Sequence, residues 1–112
     1  MLIYKIFRQP EWQAFQATGT TQGAPIDVQD GFVHFSTALQ AAETAAKHFS
    51  GVRDLVLVAI DTDGLKHALR WEKSRNDDLF PHYYGRLTIN MVLWAEPLPL
   101  EAGQHKFPAT MV

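Results

Sequence analysis

Three short stretches of this chain gather the histidine, hydroxyl, arginine and carboxylate groups that chemistry requires. The first is Asp30-Gly-Phe-Val-His-Phe-Ser-Thr37. Alternation along a strand puts His34 and Ser36 on one side and Val33 and Phe35 on the other. Thr37 then opens a helix. The free amides and positive dipole end of that helix lie beside Ser36, a place suited to an anion. A histidine two residues upstream is the right kind of group to orient a ribose or a phosphate. The plainer alternative is a buried histidine bonded to a backbone carbonyl, with Ser36 and Thr37 as caps.

The second stretch is Leu69-Arg-Trp-Glu72. Arg70 and Glu72 share a strand face, while Leu69 and Trp71 turn the other way and anchor the strand in the core. An arginine in a cleft holds a phosphate or carboxylate with two parallel bonds. A glutamate there accepts from ribose hydroxyls or stabilises a developing cation. On an open sheet face the same pair is a surface ion pair of little worth. The third stretch is Asp77-Asp-Leu-Phe-Pro-His-Tyr-Tyr-Gly85, read as an irregular aromatic loop over Leu79–Gly85. His82 and Tyr84 place a proton carrier and a flat stacking surface close together. Alternatively, Phe80 and a tyrosine cap the core and His82 is solvated.

Other chemistries find little support. The histidines at 34, 48, 67, 82 and 105 lack the i,i+4 spacing of a helical zinc pair, so no metal is expected. There is no cysteine, and hence no thiolate ligand, disulfide or thiol nucleophile. No Gly-x-Ser-x-Gly elbow, Walker A loop or Gly-x-Gly-x-x-Gly motif occurs.

These residues need elements to carry them. Leu2–Phe7 is apolar and β-prone and reads as a strand. Pro10, Glu11 and Gly19 bracket a helix over Pro10–Thr18. Gly19–Asp30, rich in Gly, Thr, Gln and Asp, reads as a long loop. Gly31–Ser36 is a strand. Thr37 with Gln40 has capping-box spacing, and the helix presents Ala38, Ala42, Ala45 and Phe49, joined by Leu39 and Ala46, until Gly51 ends it. Leu55–Ile60 is an unbroken apolar run, read as a central strand buried on both faces. Strands follow over Ala68–Lys73 and Met91–Ala95, the latter stopped by Pro97 and Pro99. The class is α+β, with one domain over residues 1–112.

Composition bounds the partners. The chain has 112 residues, 46 % of them apolar and 20 % charged, enough to bury roughly two-thirds of its unfolded surface. Ten Lys+Arg against twelve Asp+Glu give a net charge of −2, with no basic cluster, so duplex nucleic acid is not an expected partner. The apolar runs are too short to span a bilayer and the N-terminus has no signal-peptide pattern, which points to the cytoplasm. Nothing in the pattern bears on oligomeric state.

Taken in order, Ile3-Tyr4-Lys5-Ile6, Asp30-Gly-Phe-Val-His-Phe-Ser-Thr37, Leu69-Arg-Trp-Glu72 and Leu79-Phe-Pro-His-Tyr-Tyr-Gly85 resemble the bacterial and plant family catalogued as domain of unknown function 952. That family is grouped with the ADP-ribosylation fold, similar to ADP-ribosyltransferases and RNA 2′-phosphotransferases. The resemblance implies split antiparallel sheets, two short helices and a cleft that takes NAD as substrate or a related nucleotide. His34, with Ser36 and Thr37, matches the family's first motif, a strand histidine and a small hydroxyl residue that meet a ribose. Tyr84 follows Glu72, the reverse of the transferase order. Two readings result. In the first, an ADP-ribosyltransferase-like enzyme uses His34, Ser36, Thr37 and Arg70 to hold ribose and phosphate. Glu72 stabilises oxocarbenium character, Tyr84 stacks on the leaving base and His82 moves a proton. In the second, the cleft survives as a non-catalytic nucleotide or small-molecule binding module.

Overall fold

The computed structural model describes residues 1–109 and 111, with the backbone alone of Arg75. Six consecutive apolar residues, Leu55 to Ile60, are all buried, because β4 (Leu55–Asp61) is the middle strand of a sheet covered on both faces. It pairs antiparallel with β1 (Leu2–Arg8) on one side and with β8 (Val92–Leu98) on the other. Alternation divides its side chains between two clusters. Val56, Val58 and Ile60 join Ile3, Phe7 and Phe15, the last from helix α1 (Gln9–Thr18). Leu55, Leu57 and Ala59 join Tyr4, Ile6 and Ala45, the last from helix α3 (Ala38–His48).

A second three-stranded antiparallel sheet has the order β3 (Val33–His34), β6 (Leu79–Tyr83), β5 (Leu69–Lys73). Val33, Phe35 and Tyr83 on its back join the first cluster. The two sheets meet where Tyr4 and Ser36 exchange backbone hydrogen bonds of 2.8 and 2.9 Å. Helix α3 lies along β1 from that bridge. Two small antiparallel pairs accompany these sheets: β2 (Thr20–Thr21) with β7 (Leu87–Thr88), and β9 (Leu100–Glu101) with β10 (Gln104–His105). Among the described residues no helix is long and apolar enough to cross a membrane.

Several local expectations change. The loop expected over Gly19–Asp30 contains β2 and a third helix, α2 (Pro25–Asp30). Six residues are too few for an apolar period to show. Its ends are marked instead, by Pro25 at the first turn and by Gly31 in the left-handed region at φ 86°. The stretch Leu79–Gly85 is not irregular. Its first five residues are β6, which occupies the centre of the second sheet although Pro81 has no amide to donate there. Trp71 is 39 % exposed, so Leu69 alone packs towards the core. Helix α3 stops at His48, before Gly51, and buries Ala41 and Ala45, whereas Leu39 is 95 % exposed and Ala42 and Ala46 face outward. Strand β8 runs through Pro97, which an edge strand tolerates on its solvent side.

Candidate functional site

Strand register builds the site. His34 pairs with His82 across β3 and β6, and His82 pairs with Arg70 across β6 and β5. Residues paired directly across strands share a face. His34, His82 and Arg70 therefore form one row, with Phe80 and Glu72 paired on the next row of that face. Phe32 and Tyr84 extend it. The His82 ring stacks on Phe32 with centroids 4.2 Å apart and stands edge-on to His34 at 5.3 Å.

His34 is held by a carboxylate that no motif suggested. Asp27 occupies the first turn of α2, and its side chain is wholly buried. One oxygen accepts from the Ala24 amide at 2.7 Å and from Lys5 Nζ at 2.7 Å. The other accepts from the His34 amide at 3.1 Å and lies 2.5 Å from His34 Nδ1. Its acceptor capacity is filled. Burial pushes the Asp27 carboxyl up, but the His34 bond, the Lys5 charge and the Ala24 amide outweigh it and hold it below the usual range. Asp30 Oδ2 lies 3.1 Å from His34 Nε2, so carboxylates flank both ring nitrogens. Gly23 has φ 97°, and a Cβ there would strike the Asp27 carboxylate. Only glycine admits this approach.

The partner row is arranged differently. One oxygen of Glu72 meets His82 Nδ1 at 2.7 Å and accepts from the Tyr84 hydroxyl at 2.7 Å. The Glu72 side chain is 37 % exposed, while that of His82 is 7 % exposed. The Tyr84 and His82 hydrogen bonds hold the Glu72 carboxyl below its ordinary value, and the same bond pushes the Tyr84 phenol up. Arg70 lies over the Tyr84 ring, 5.2 Å from its centroid.

A cavity of about 620 Å³ opens beside this row, where β3 diverges from β1 beyond the Tyr4–Ser36 bridge. His34, Ser36 and His82 line it, as do Lys5 and Asp27. Glu72, Arg70, Tyr84 and Thr37 do not. Tyr84 and Phe32 line a smaller cavity of about 330 Å³, and Asp27 lies between the two. The structure thus joins His34, His82, Glu72, Tyr84 and Arg70 by a series of contacts but not in one pocket: His34 and His82 line the larger cavity, Tyr84 the smaller, and Glu72 and Arg70 neither. The Ser36 hydroxyl is 2.8 Å from that of Thr44. Thr37 accepts from the Gln40 amide at 3.3 Å, and Gln40 Oε1 accepts from the Thr37 amide at 3.0 Å, the capping box its spacing predicts. Among the described residues no three His, Asp or Glu side chains are placed to hold a metal ion.

A family model described as Protein of unknown function (DUF952) matches residues 6–95. The chain belongs to this family. Its fold is also that of CC0527 from Caulobacter crescentus. The crystal structure of CC0527 is 43 % identical, with a TM-score of 0.91 over 95 % of this chain and 94 % of that one. A double mutant of CC0527 gives 42 % and 0.90 over 95 % and 94 %. Its solution NMR structure gives 43 % and 0.83 over 93 % and 90 %. No curated protein matches. Within this DUF952 chain, Asp27, His34, Glu72, His82 and Tyr84 all fall in the matched span, and Lys5 lies one residue before it.

Sequence reasoning missed Lys5, Asp27, Asp30 and Phe32. A lysine amid Ile3, Tyr4, Ile6 and Phe7 was the available signal. A charge on a strand buried on both faces requires an opposite charge in reach. Asp27, three residues after the helix-entry position Ala24, was the available partner.

Proposed function

We propose that the protein takes a phosphorylated nucleoside of the ADP-ribose class into the larger cavity, and that His82 moves a proton there. The observation that carries this is the pair of histidines on facing strands. Both line one cavity, and each has Nδ1 fixed by a carboxylate. A carboxylate on one ring nitrogen sets the tautomer and orientation and leaves the other for substrate. For His34 that second nitrogen already meets Asp30, so His34 offers a ligand its ring surface rather than a free nitrogen. His82 has no such second partner among the described residues, which suits it to acid–base work. Resemblance to ADP-ribosyltransferases and RNA 2′-phosphotransferases supplies the ligand class, with NAD or a 2′-phosphorylated nucleotide as substrates. The volume suits a ligand of that size.

Glu72 in this reading orients His82. Its engaged oxygen serves His82 and Tyr84 rather than the cavity. The second reading, a binding module on this fold, is favoured by the absence of Glu72 from the lining of the larger cavity, where a carboxylate would have to stabilise an oxocarbenium ion.

The test is a melting-temperature screen against NAD, ADP-ribose and 2′- and 5′-AMP, followed by turnover of whichever binds. A ligand at a hundredfold over its Kd adds about 2.7 kcal/mol to stability. His82→Gln is expected to keep binding and lose turnover, and His34→Ala to lose binding. Wild-type protein that binds without turnover supports the binding module. A screen without any shift sinks both.

A further inference from the structure

The larger cavity has an end away from His34 and His82. Arg8, Lys47 and His48 line it together with the Phe49 ring. The Arg8 guanidinium lies over that ring, 4.9 Å from its centroid. Stacking engages the face of a guanidinium and leaves the in-plane N–H edge for an anion. Among the described residues its carboxylate partner is Glu11, at a long 3.9 Å. The two carboxylates that line the cavity, Asp27 and Asp30, are both committed at the His34 end, and Lys5 is committed to Asp27. Positive charge at the Arg8 end is therefore unmatched by any carboxylate of the lining.

Two rulers measure how far that end lies. Arg8 is three residues along β1 from Lys5, which shares Asp27 with His34; the strand advances ~3.3 Å per residue, or about 10 Å, and the odd step turns Arg8 to the opposite face, over Phe49 at the end of α3. Helix α3 starts at Ala38, beside the Tyr4–Ser36 bridge, and Lys47 stands nine residues on, at ~1.5 Å each about 14 Å away. Both place the Arg8–Lys47 end well beyond a ribose seated at His34. A 5′-monophosphate hangs on one short arm of the ribose and stops short of it. A diphosphate supplies the extra length and the extra charge.

We propose that Arg8 and Lys47 form an anion subsite for the distal phosphate of a diphosphate-bearing nucleotide. This rests on the ligand class proposed above and narrows it. Charge-assisted bonds to phosphate are the strong ones, and one such bond gained is worth about tenfold in affinity.

The experiment is calorimetric titration of adenosine, AMP, ADP and inorganic pyrophosphate into the wild-type protein, Arg8→Gln/Lys47→Gln and His34→Ala. Lys47 is exposed and the Arg8 side chain is 49 % exposed, so the double variant loses only the Phe49 stacking and the long Glu11 pair and is expected to stay folded with a small fall in unfolding temperature. ADP is expected to bind about tenfold more tightly than AMP, and the double variant to erase that advantage while leaving AMP affinity unchanged. Equal affinity for ADP and AMP in the wild type overturns the subsite and leaves the nucleotide reading intact. Equal loss of AMP and ADP in the double variant also overturns it, since that reports a general field. No binding of any nucleotide overturns the nucleotide reading, and the subsite with it.

Discussion

The two histidine–carboxylate pairs differ in what surrounds them. At Asp27–His34 the carboxylate is wholly buried, salt-bridged to Lys5 and bonded to two backbone amides. At Glu72–His82 the histidine is the buried partner and the carboxylate is partly open to water, with a tyrosine hydroxyl beside it. The first pair ties together β1, α2 and β3, so the fold depends on it. The second ties β5 to β6, strands already joined along their full length. Chemistry that needs an adjustable group fits the second pair better, because removing it leaves no buried charge stranded.

The sharpest way to break this comparison is Asp27→Ala. It leaves Lys5 buried without a counter-charge and orphans two amides, so a loss of about 3–5 kcal/mol is expected in denaturant unfolding. A loss under about 1 kcal/mol would show that the two pairs do not differ. Gly23→Ala attacks the same carboxylate from the backbone. Left-handed strain and the clash with Asp27 together are expected to cost about 1–3 kcal/mol, with the denaturant midpoint as the measure.

Acid unfolding sharpens the contrast. The Asp27 carboxyl is held low in the fold, so between its folded value and the ordinary value near ~4 the unfolded chain binds more protons. Its contribution is complete above that ordinary value and is lost as pH falls through the lower folded one. Asp27→Asn is expected to flatten the acid limb of the stability curve, with lower stability at neutral pH. An unchanged limb would count against the salt-bridged carboxylate.

Smaller effects belong to the second pair. Glu72→Gln keeps the shape and an acceptor, so the melting temperature is expected to stay close to wild type while any turnover falls through a disoriented His82. Smallest of all is Tyr84→Phe. It removes the largest influence holding the Glu72 carboxyl low, so that group's NMR titration is expected to move upward. A downward or absent movement would mean that the hydroxyl does not donate to Glu72.

Much of this protein was legible along the chain. The double-sided burial of β4 follows from six adjacent apolar residues. The N-terminus of α3 follows from Thr37 and Gln40, and the common face of Arg70 and Glu72 from alternation. These are local effects, set by the period of a strand or by a cap within one turn, and they need no knowledge of neighbours. What each polar group meets was decided only in three dimensions. Glu72 finds His82 because β5 and β6 pair in one register, and a slip by one residue would face them apart. His34 finds Asp27 because α2, too short to show a period, folds back against β1 and β3. Lys5 needed a counter-charge by its position alone, but only the packing of distant segments could say that Asp27 supplies it.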